Sequence, residues 1–343
     1  MKQAHFGIAR GRGELALLGE IRQRAAHAAN RDLSLGIGDD CALLAPRRGE
    51  ELAVTTDLSI AGRHFRLDWH QPEAVGHRAL ARGLSDLAAM GARPVAVFLS
   101  LGLPRSLTTA AGHRPAWVQR FLDGLLVLAE AYNTPLAGGD LAESPSPVAD
   151  IVLVGAVPRG RALLRSGARP GDLLYVTGTL GGAAAGLARL GELAEAQSGR
   201  SNPPRIPRKL EAQLAAHLYP QPRIKQGLWL QRRGVASAAL DLSDGLSTDL
   251  AHLCAESGVA AEVEAVLVPI HPAATLDQAL HGGEDYELLF AAPPTARVPR
   301  SIAGVKITRI GRIAKPRTGQ PTMTLLMPEG PQLLEAHGWE HFS

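Results

Sequence analysis

Apolar residues along this chain recur with two periods. LAVTTDLSI (52–60), VAVFLSLGLP (95–104) and IVLVGAV (151–157) have the composition and length of strands, and each ends on turn or polar residues. Between them, 72–91 and 116–133 repeat apolar positions at helical spacing. In the second, Trp117, Phe121, Leu125, Leu128 and Tyr132 make one stripe, which reads as the core face of a helix. SPSPVAD (144–150) reads as a turn feeding the 151–157 strand, and PRGRALLRSGARPGD (158–172), rich in Pro, Gly and Arg, as a domain junction. Beyond it come the strand LLYVTGT, a glycine-rich turn into the helix GGAAAGLARLGELAEA, and a surface loop at 197–209. Further strands are expected in ASAALDLSD, VAAEVEAVLVP, YELLFAAP and VKITRIGRI, with helices near 224–234 and 247–258. The pattern predicts a mixed α/β (α+β) chain of two domains, 1–158 and 159–343.

Composition narrows the function. The 343 residues are 45% apolar and 20% charged, enough to bury sizeable cores. Thirty-six basic residues against 33 acidic leave +3, with scattered arginines, so neither a nucleic acid nor a membrane is an expected partner. No apolar run reaches the roughly 18 residues of a membrane helix. The opening residues lack the apolar stretch of a signal peptide, which makes the cytoplasm the expected address. Cys41 and Cys254 form no CxxC, which excludes a disulfide scaffold and a cysteine-built zinc site. Only five residues are lysine, and none stands in a GxxxxGK[ST] loop. Phosphate chemistry here would need metals, arginine or backbone amides.

The carboxylates supply that chemistry. Asp40 lies in GIGDDCALL, Asp57 ends AVTTD, Asp86 lies in GLSDLAAMG and Asp140 closes LAGGD. Asp241 and Asp244 lie in ALDLSDGL, and Glu284 and Asp285 in HGGEDYELL. Each acid follows apolar or small residues, where the backbone can approach a ligand. A single such Asp more often caps a turn. Several from separate strand ends are the usual construction of a Mg²⁺ phosphoryl-transfer site, because like charges gathered without cations repel. TGTLGG (177–182) is open to two readings, a phosphate cradle at a helix N-terminus or a tight strand-to-helix turn. His64, Arg165 and Trp339 taken singly read as ordinary polar, surface and tail-docking residues.

GIGDDCALL, TTDLSIAGRHF, ALARGLSDLAAMGARP, GGD, RALLRSGARPGDLLYVTG, DLSDGLSTDL and GGEDYEL occur in this order, and together they resemble the thiamine-monophosphate kinase family. The resemblance implies a two-domain fold like that of aminoimidazole ribonucleotide synthetase. Its N-terminal mixed sheets would join in a β-barrel across a homodimer, beside a C-terminal α/β domain. ATP would phosphorylate thiamine phosphate to thiamine diphosphate by direct in-line transfer, with no covalent nucleophile. Carried over by motif, Asp40, Thr55, Thr56, Asp57, Asp86, Asp140, Asp241 and Asp244 would hold several Mg²⁺ ions. Gly139, Asp140, Arg165 and Ser243 would meet ATP, and His64, Glu284 and Trp339 thiamine phosphate. Rival readings are a selenophosphate synthetase-like or hydrogenase maturation dehydratase-like enzyme, or a non-catalytic nucleotide-binding homologue. The early Cys with Lys of the first rival and the Cys-bearing tail of the second are missing from this sequence. Intact acids at every motif weigh against the third.

Overall fold

In the computed structural model, which describes residues 14–25, 30–38, 40–110, 115–197, 203–319 and 322–338, two sheets organise the chain. Helix α1 (Glu14–Ala25) and short strands β1 (Leu33–Leu35) and β2 (Leu43–Leu44) come first. Strand β3 (Glu50–Ile60), helix α2 (Pro72–Ala89), strand β4 (Arg93–Leu103), helix α3 (Trp117–Ala131) and strands β5 (Leu136–Glu143) and β6 (Val148–Pro158) follow. Their strands form a sheet in the order β3-β6-β4-β5. β3 and β6 pair antiparallel along their whole length, from Glu50 opposite Pro158 to Ile60 opposite Val148. α3 is the crossover that lets β5 run parallel to β4.

Helix α2 packs on one face of this sheet. Pro72 presets the backbone at its start, and Gly91, at φ 62, follows its end in the left-handed conformation that closes many helices. α2 crosses α3 so closely that a Cβ on Gly76 would lie 1.9 Å from the Phe121 carbonyl oxygen. Leu80, Leu84 and Leu87 are buried with Phe121, Leu125, Ile151 and Leu153, each such side chain contributing about 1.5–3 kcal/mol through its burial. Alternation along β3 turns Thr55, Asp57 and Ser59 toward α2 and leaves Leu52, Val54 and Leu58 45%, 62% and 46% exposed on the opposite face.

The second half contributes β7 (Leu173–Thr177), α4 (Gly182–Ala196), α5 (Glu211–Leu218), α6 (Ile224–Arg233), β8 (Ala238–Asp241), α7 (Leu246–Ser257) and β9 (Ala260–Glu264). It ends with α8 (Leu276–His281), β10 (Leu288–Ala292), β11 (Ser301–Ile302), β12 (Val305–Ala314), β13 (Met323–Met327) and β14 (Gly330–Leu333). Its sheet runs β14-β13-β9-β12-β7-β10-β8, with β11 paired to β12, over a separate core that includes Leu174, Val176, Leu240, Leu289 and Ile310. Among the described residues neither sheet closes into a barrel, since β3 and β5 remain edges of the first and β14 and β8 of the second. No helix there is long and apolar enough to cross a membrane.

The expected strands and helices all form, with β9 shorter than its apolar run because Ala265–Leu267 turn into a 3₁₀ helix. α1, α5, α8, β5, β13 and β14 were not expected. β5 carries two consecutive glycines, a poor strand signal, yet pairs with β4 from Leu136 to Glu143 with one irregularity at Ala137. Of the 197–209 loop, residues 198–202 lie outside the described residues.

Candidate active site

One face of α2 organises a cavity of about 560 Å³ between the two halves of the chain. Arg78, Arg82, Ser85 and Asp86 follow one another at steps of four, three and one, so all four side chains leave the same side of the helix. Arg78 Nη2 donates to Glu284 Oε1 at 2.6 Å, and Arg82 Nη2 lies 2.8 Å from Asp57 Oδ1. Ser85 Oγ donates to Asp241 Oδ2 at 2.6 Å, and Asp86 accepts from the Thr55 hydroxyl. β3, β8 and the turn before β10 are thus tied to a single helix.

The two motifs of the second half meet backbone to backbone. Glu284 N–H donates to the Ser243 carbonyl at 2.7 Å and Tyr286 N–H to the Leu242 carbonyl at 2.9 Å. Glu284 and Tyr286 hold φ of 69 and 51, conformations that cost non-glycine residues of order 1–3 kcal/mol and concentrate at functional sites. Both line the cavity. Asp285 points the other way, into the TGTLGG turn, where Oδ2 accepts from Gly181 N–H at 2.6 Å and Oδ1 from Ala183 N–H at 3.0 Å. Gly181 supplies the left-handed residue, at φ 82, that starts α4. The helix terminus already holds a carboxylate of its own chain, so TGTLGG is a structural turn here and not a phosphate cradle.

A buried polar network backs Glu284. Arg78 Nη1 donates to the His217 carbonyl at 2.5 Å and lies 2.9 Å from His217 Nδ1, while His217 Nε2 is 3.0 Å from His70 Nε2. Arginine can only donate, so His217 Nδ1 accepts. His70 Nδ1 meets both polar groups of the Arg66 backbone, the N–H at 3.1 Å and the carbonyl at 3.2 Å. Burial and the Arg78 charge hold both imidazoles neutral, pushing His70 down to about 4 and His217 well below its ordinary value. Burial would raise Glu284, but Arg78 and Arg82 outweigh it and keep the carboxylate ionised. The aromatic wall of the same cavity is Phe65 and Trp69, with the Arg66 guanidinium 4.3 Å from the Trp69 ring centre.

The acids are less well compensated. Burial pushes Asp57 to about 6 against the pull of Arg82, with the Asp86 and Asp150 charges adding to the rise. Burial raises Asp86, opposed by the Thr55 hydrogen bond and the Arg165 charge. Asp241 is raised by burial and by Asp86, and Asp249 reaches about 8 through burial and the Asp241 and Asp244 charges. Among the described residues no group of three or more His, Cys, Asp or Glu is arranged to hold a metal ion. Mg²⁺ commonly binds through one or two carboxylates and completes its shell with water and substrate phosphate. Oxygen donors with excess negative charge fit it.

The expected site residues divide between two cavities. Thr56, Asp57, His64, Asp86, Asp241, Ser243, Asp244 and Glu284 line the first, and Thr55 touches it through Asp86. Asp40, Gly139 and Asp140 line a second, of about 450 Å³, with Cys41, Phe98 and Ile21. Arg165 lines neither; it is exposed, and its charge acts on Asp86, Asp241 and Asp249. Trp339 lies outside the described residues. The sequence reading missed Arg78, Arg82, Ser85, Trp69, His70 and His217. The polar stripe on an otherwise apolar α2 was the available signal for the first three.

Residues 38–157 match the AIR synthase related protein, N-terminal domain, and residues 169–323 the AIR synthase related protein, C-terminal domain. Fold and site therefore define a two-domain protein of the AIR synthase related class. A thiamine-monophosphate kinase of Escherichia coli (strain K12) is 39% identical over 343 residues, covering 96% of this chain and 98% of its own. The crystal structure of thiamine-monophosphate kinase from Stenotrophomonas maltophilia K279a is 39% identical with a TM-score of 0.75, covering 89% of this chain and 95% of that one. AaThiL complexed with AMPPCP and TMP is 31% identical with a TM-score of 0.72, covering 96% and 97%. This chain belongs to the thiamine-monophosphate kinase family.

Proposed function

We propose that the protein transfers the γ-phosphoryl group of ATP to thiamine phosphate, giving ADP and thiamine diphosphate. The observation that carries this reading is the make-up of the first cavity, where half-buried carboxylates on β3 and α2 and a buried one on β8 share one space with an aromatic wall. A cationic heteroaromatic phosphate suits that combination, since a cation over a ring face gains roughly 0.5–2 kcal/mol. The ligands of AaThiL, AMPPCP and TMP, are a nucleotide and an acceptor of this kind.

Asp57, Asp86, Asp241 and Asp244, with Thr55 and Thr56, would hold Mg²⁺ in the first cavity. Asp40 and Asp140 would do so in the second, where Gly139 and Asp140 also meet ATP. Bound Mg²⁺ offsets the charge of two polyanions brought together. Ser243 and Arg165 complete the nucleotide contacts. His64 and Glu284 face thiamine phosphate, Glu284 being aimed by Arg78 and the His217–His70 pair behind it.

An ionised phosphate oxygen of the acceptor attacks the γ-phosphorus, and the bond to the β-phosphate oxygen breaks toward ADP. The acceptor is already nucleophilic at neutral pH, so no side chain removes a proton. Residues 1–158 form the nucleotide- and metal-binding unit in this reading, and 159–343 the second domain. The exposed Leu52, Val54 and Leu58 on β3 support pairing of two such sheets in a homodimeric barrel. The enzyme works in the cytoplasm, where ATP and Mg²⁺ are supplied. Incubation with ATP, Mg²⁺ and thiamine phosphate should yield ADP and thiamine diphosphate in equal amounts. ADP release without thiamine diphosphate would refute the assignment.

A further inference from the structure

The buried and half-buried arginines of this fold are anchored unequally. Arg120 holds Glu73 through two nitrogens at 2.7 and 2.8 Å, and Arg223 grips Glu287 as a fork. Arg93 bridges Asp32 and Glu50, while Arg78 spans Glu284 and the His217 carbonyl. Arg82 differs. It holds Asp57 through one nitrogen at 2.8 Å, and its other guanidinium contacts, the Leu58 carbonyl and Ser59 Oγ, stand at 3.4 and 3.5 Å. Both partners of this pair line the acid-rich cavity, with side chains 18% and 17% exposed.

Two physical consequences follow. A one-point arginine–carboxylate pair is easier to open than a fork, which adds a second bond and fixes geometry. Once opened inside a half-buried cavity, the guanidinium stays charged and needs another anion, because an unpaired buried charge is strongly unfavourable. A hard cation entering the cavity competes for the same Asp57 oxygen. An entering phosphate offers the planar fork a matching partner.

We propose that Arg82 is a displaceable counter-ion: it holds Asp57 in the cation-free cavity, yields that carboxylate to the entering divalent cation, and turns its guanidinium to the phosphate of the acceptor. This rests on the Mg²⁺ and thiamine phosphate reading above. Arg82 then couples metal entry to acceptor capture, since the side chain is offered to phosphate only after Asp57 has been taken.

Mn²⁺ binding without nucleotide, followed by the electron paramagnetic resonance of the free ion, tests the first half independently of turnover. Arg82→Gln should bind Mn²⁺ at least threefold more tightly than wild type, because no guanidinium has to leave. The gain should vanish in an Asp57→Asn background. Arg82→Met, which keeps the apolar stem, serves should Arg82→Gln fail to fold. Unchanged or weaker Mn²⁺ binding in the variants would overturn the proposal, as would a gain that survives Asp57→Asn and so reflects net charge alone. The second half predicts that thiamine phosphate, titrated calorimetrically into the Mn²⁺-loaded protein, binds about tenfold more weakly to Arg82→Gln; equal binding overturns it. A wild type that binds no Mn²⁺ would instead overturn the metal reading beneath it.

Discussion

Asp86→Asn separates a metal ligand from a structural acid. Asp86 accepts the Thr55 hydroxyl, is raised by burial, and its charge raises both Asp57 and Asp241. Asparagine keeps an acceptor for Thr55, so the loss is the difference between a charge-assisted and a neutral hydrogen bond, about 1 kcal/mol. Removing a buried like charge beside two other acids acts in the opposite direction with comparable size. In EDTA the variant should therefore melt within roughly 2–4 °C of wild type, or above it. With Mg²⁺ at 100 times its dissociation constant, wild type gains about 2.7 kcal/mol; a tenfold loss of affinity would cut that gain to about 1.4 kcal/mol. The assay is a thermal melt of both proteins in EDTA and in Mg²⁺ with a non-hydrolysable ATP analogue. An EDTA melt lowered by more than about 2 kcal/mol, together with an undiminished Mg²⁺ gain, would show that Asp86 only supports the fold.

Two further outcomes are expected. The raised Asp57, Asp241, Asp249 and Asp285 make the folded chain bind more protons than the unfolded one, so their stabilisation is lost as pH rises through the folded values, whereas the depressed His70 and His217 act oppositely only below about 6.5. Stability in EDTA should thus fall from pH 6.5 to 8, by up to about 1.4 kcal/mol per pH unit for each titrating group, and Mg²⁺ should lessen the slope; a flat or rising EDTA profile would contradict the electrostatics. In steady-state kinetics Arg165→Ala should raise the KM for ATP about tenfold and His64→Ala that for thiamine phosphate, each sparing the other substrate, and two variants that shift the same KM would displace one of the assignments.

Legibility of the sequence varied with the range of the forces involved. β3, β4, β6 and α3 were readable because periodicity is local and their buried faces repeat it. β5 was hidden because its glycines give no side-chain pattern, and its strand conformation comes from β4. The acids of the first cavity were found through their motifs, but the side chains that hold them were not. Ser85 and Arg82 sit in a helix whose remaining positions are mostly buried, and their partners Asp241 and Asp57 lie 156 and 25 residues away. TGTLGG could not be decided from its own residues, since its meaning depends on Asp285, about 100 residues later. Residues 138–140 and 282–284 are both Gly-Gly-acid runs, yet the first lies inside β5 and the second in a strained turn before β10.

Direct transfer from ATP to thiamine phosphate, without a phosphoenzyme, is the central claim, and stereochemistry at the γ-phosphorus tests it most directly. With isotopically chiral γ-thiophosphoryl ATP and thiamine phosphate, one in-line displacement requires the thiophosphoryl group of the product to be inverted. Inversion is the predicted result; retention would mean two displacements through a covalent enzyme intermediate and would contradict the account.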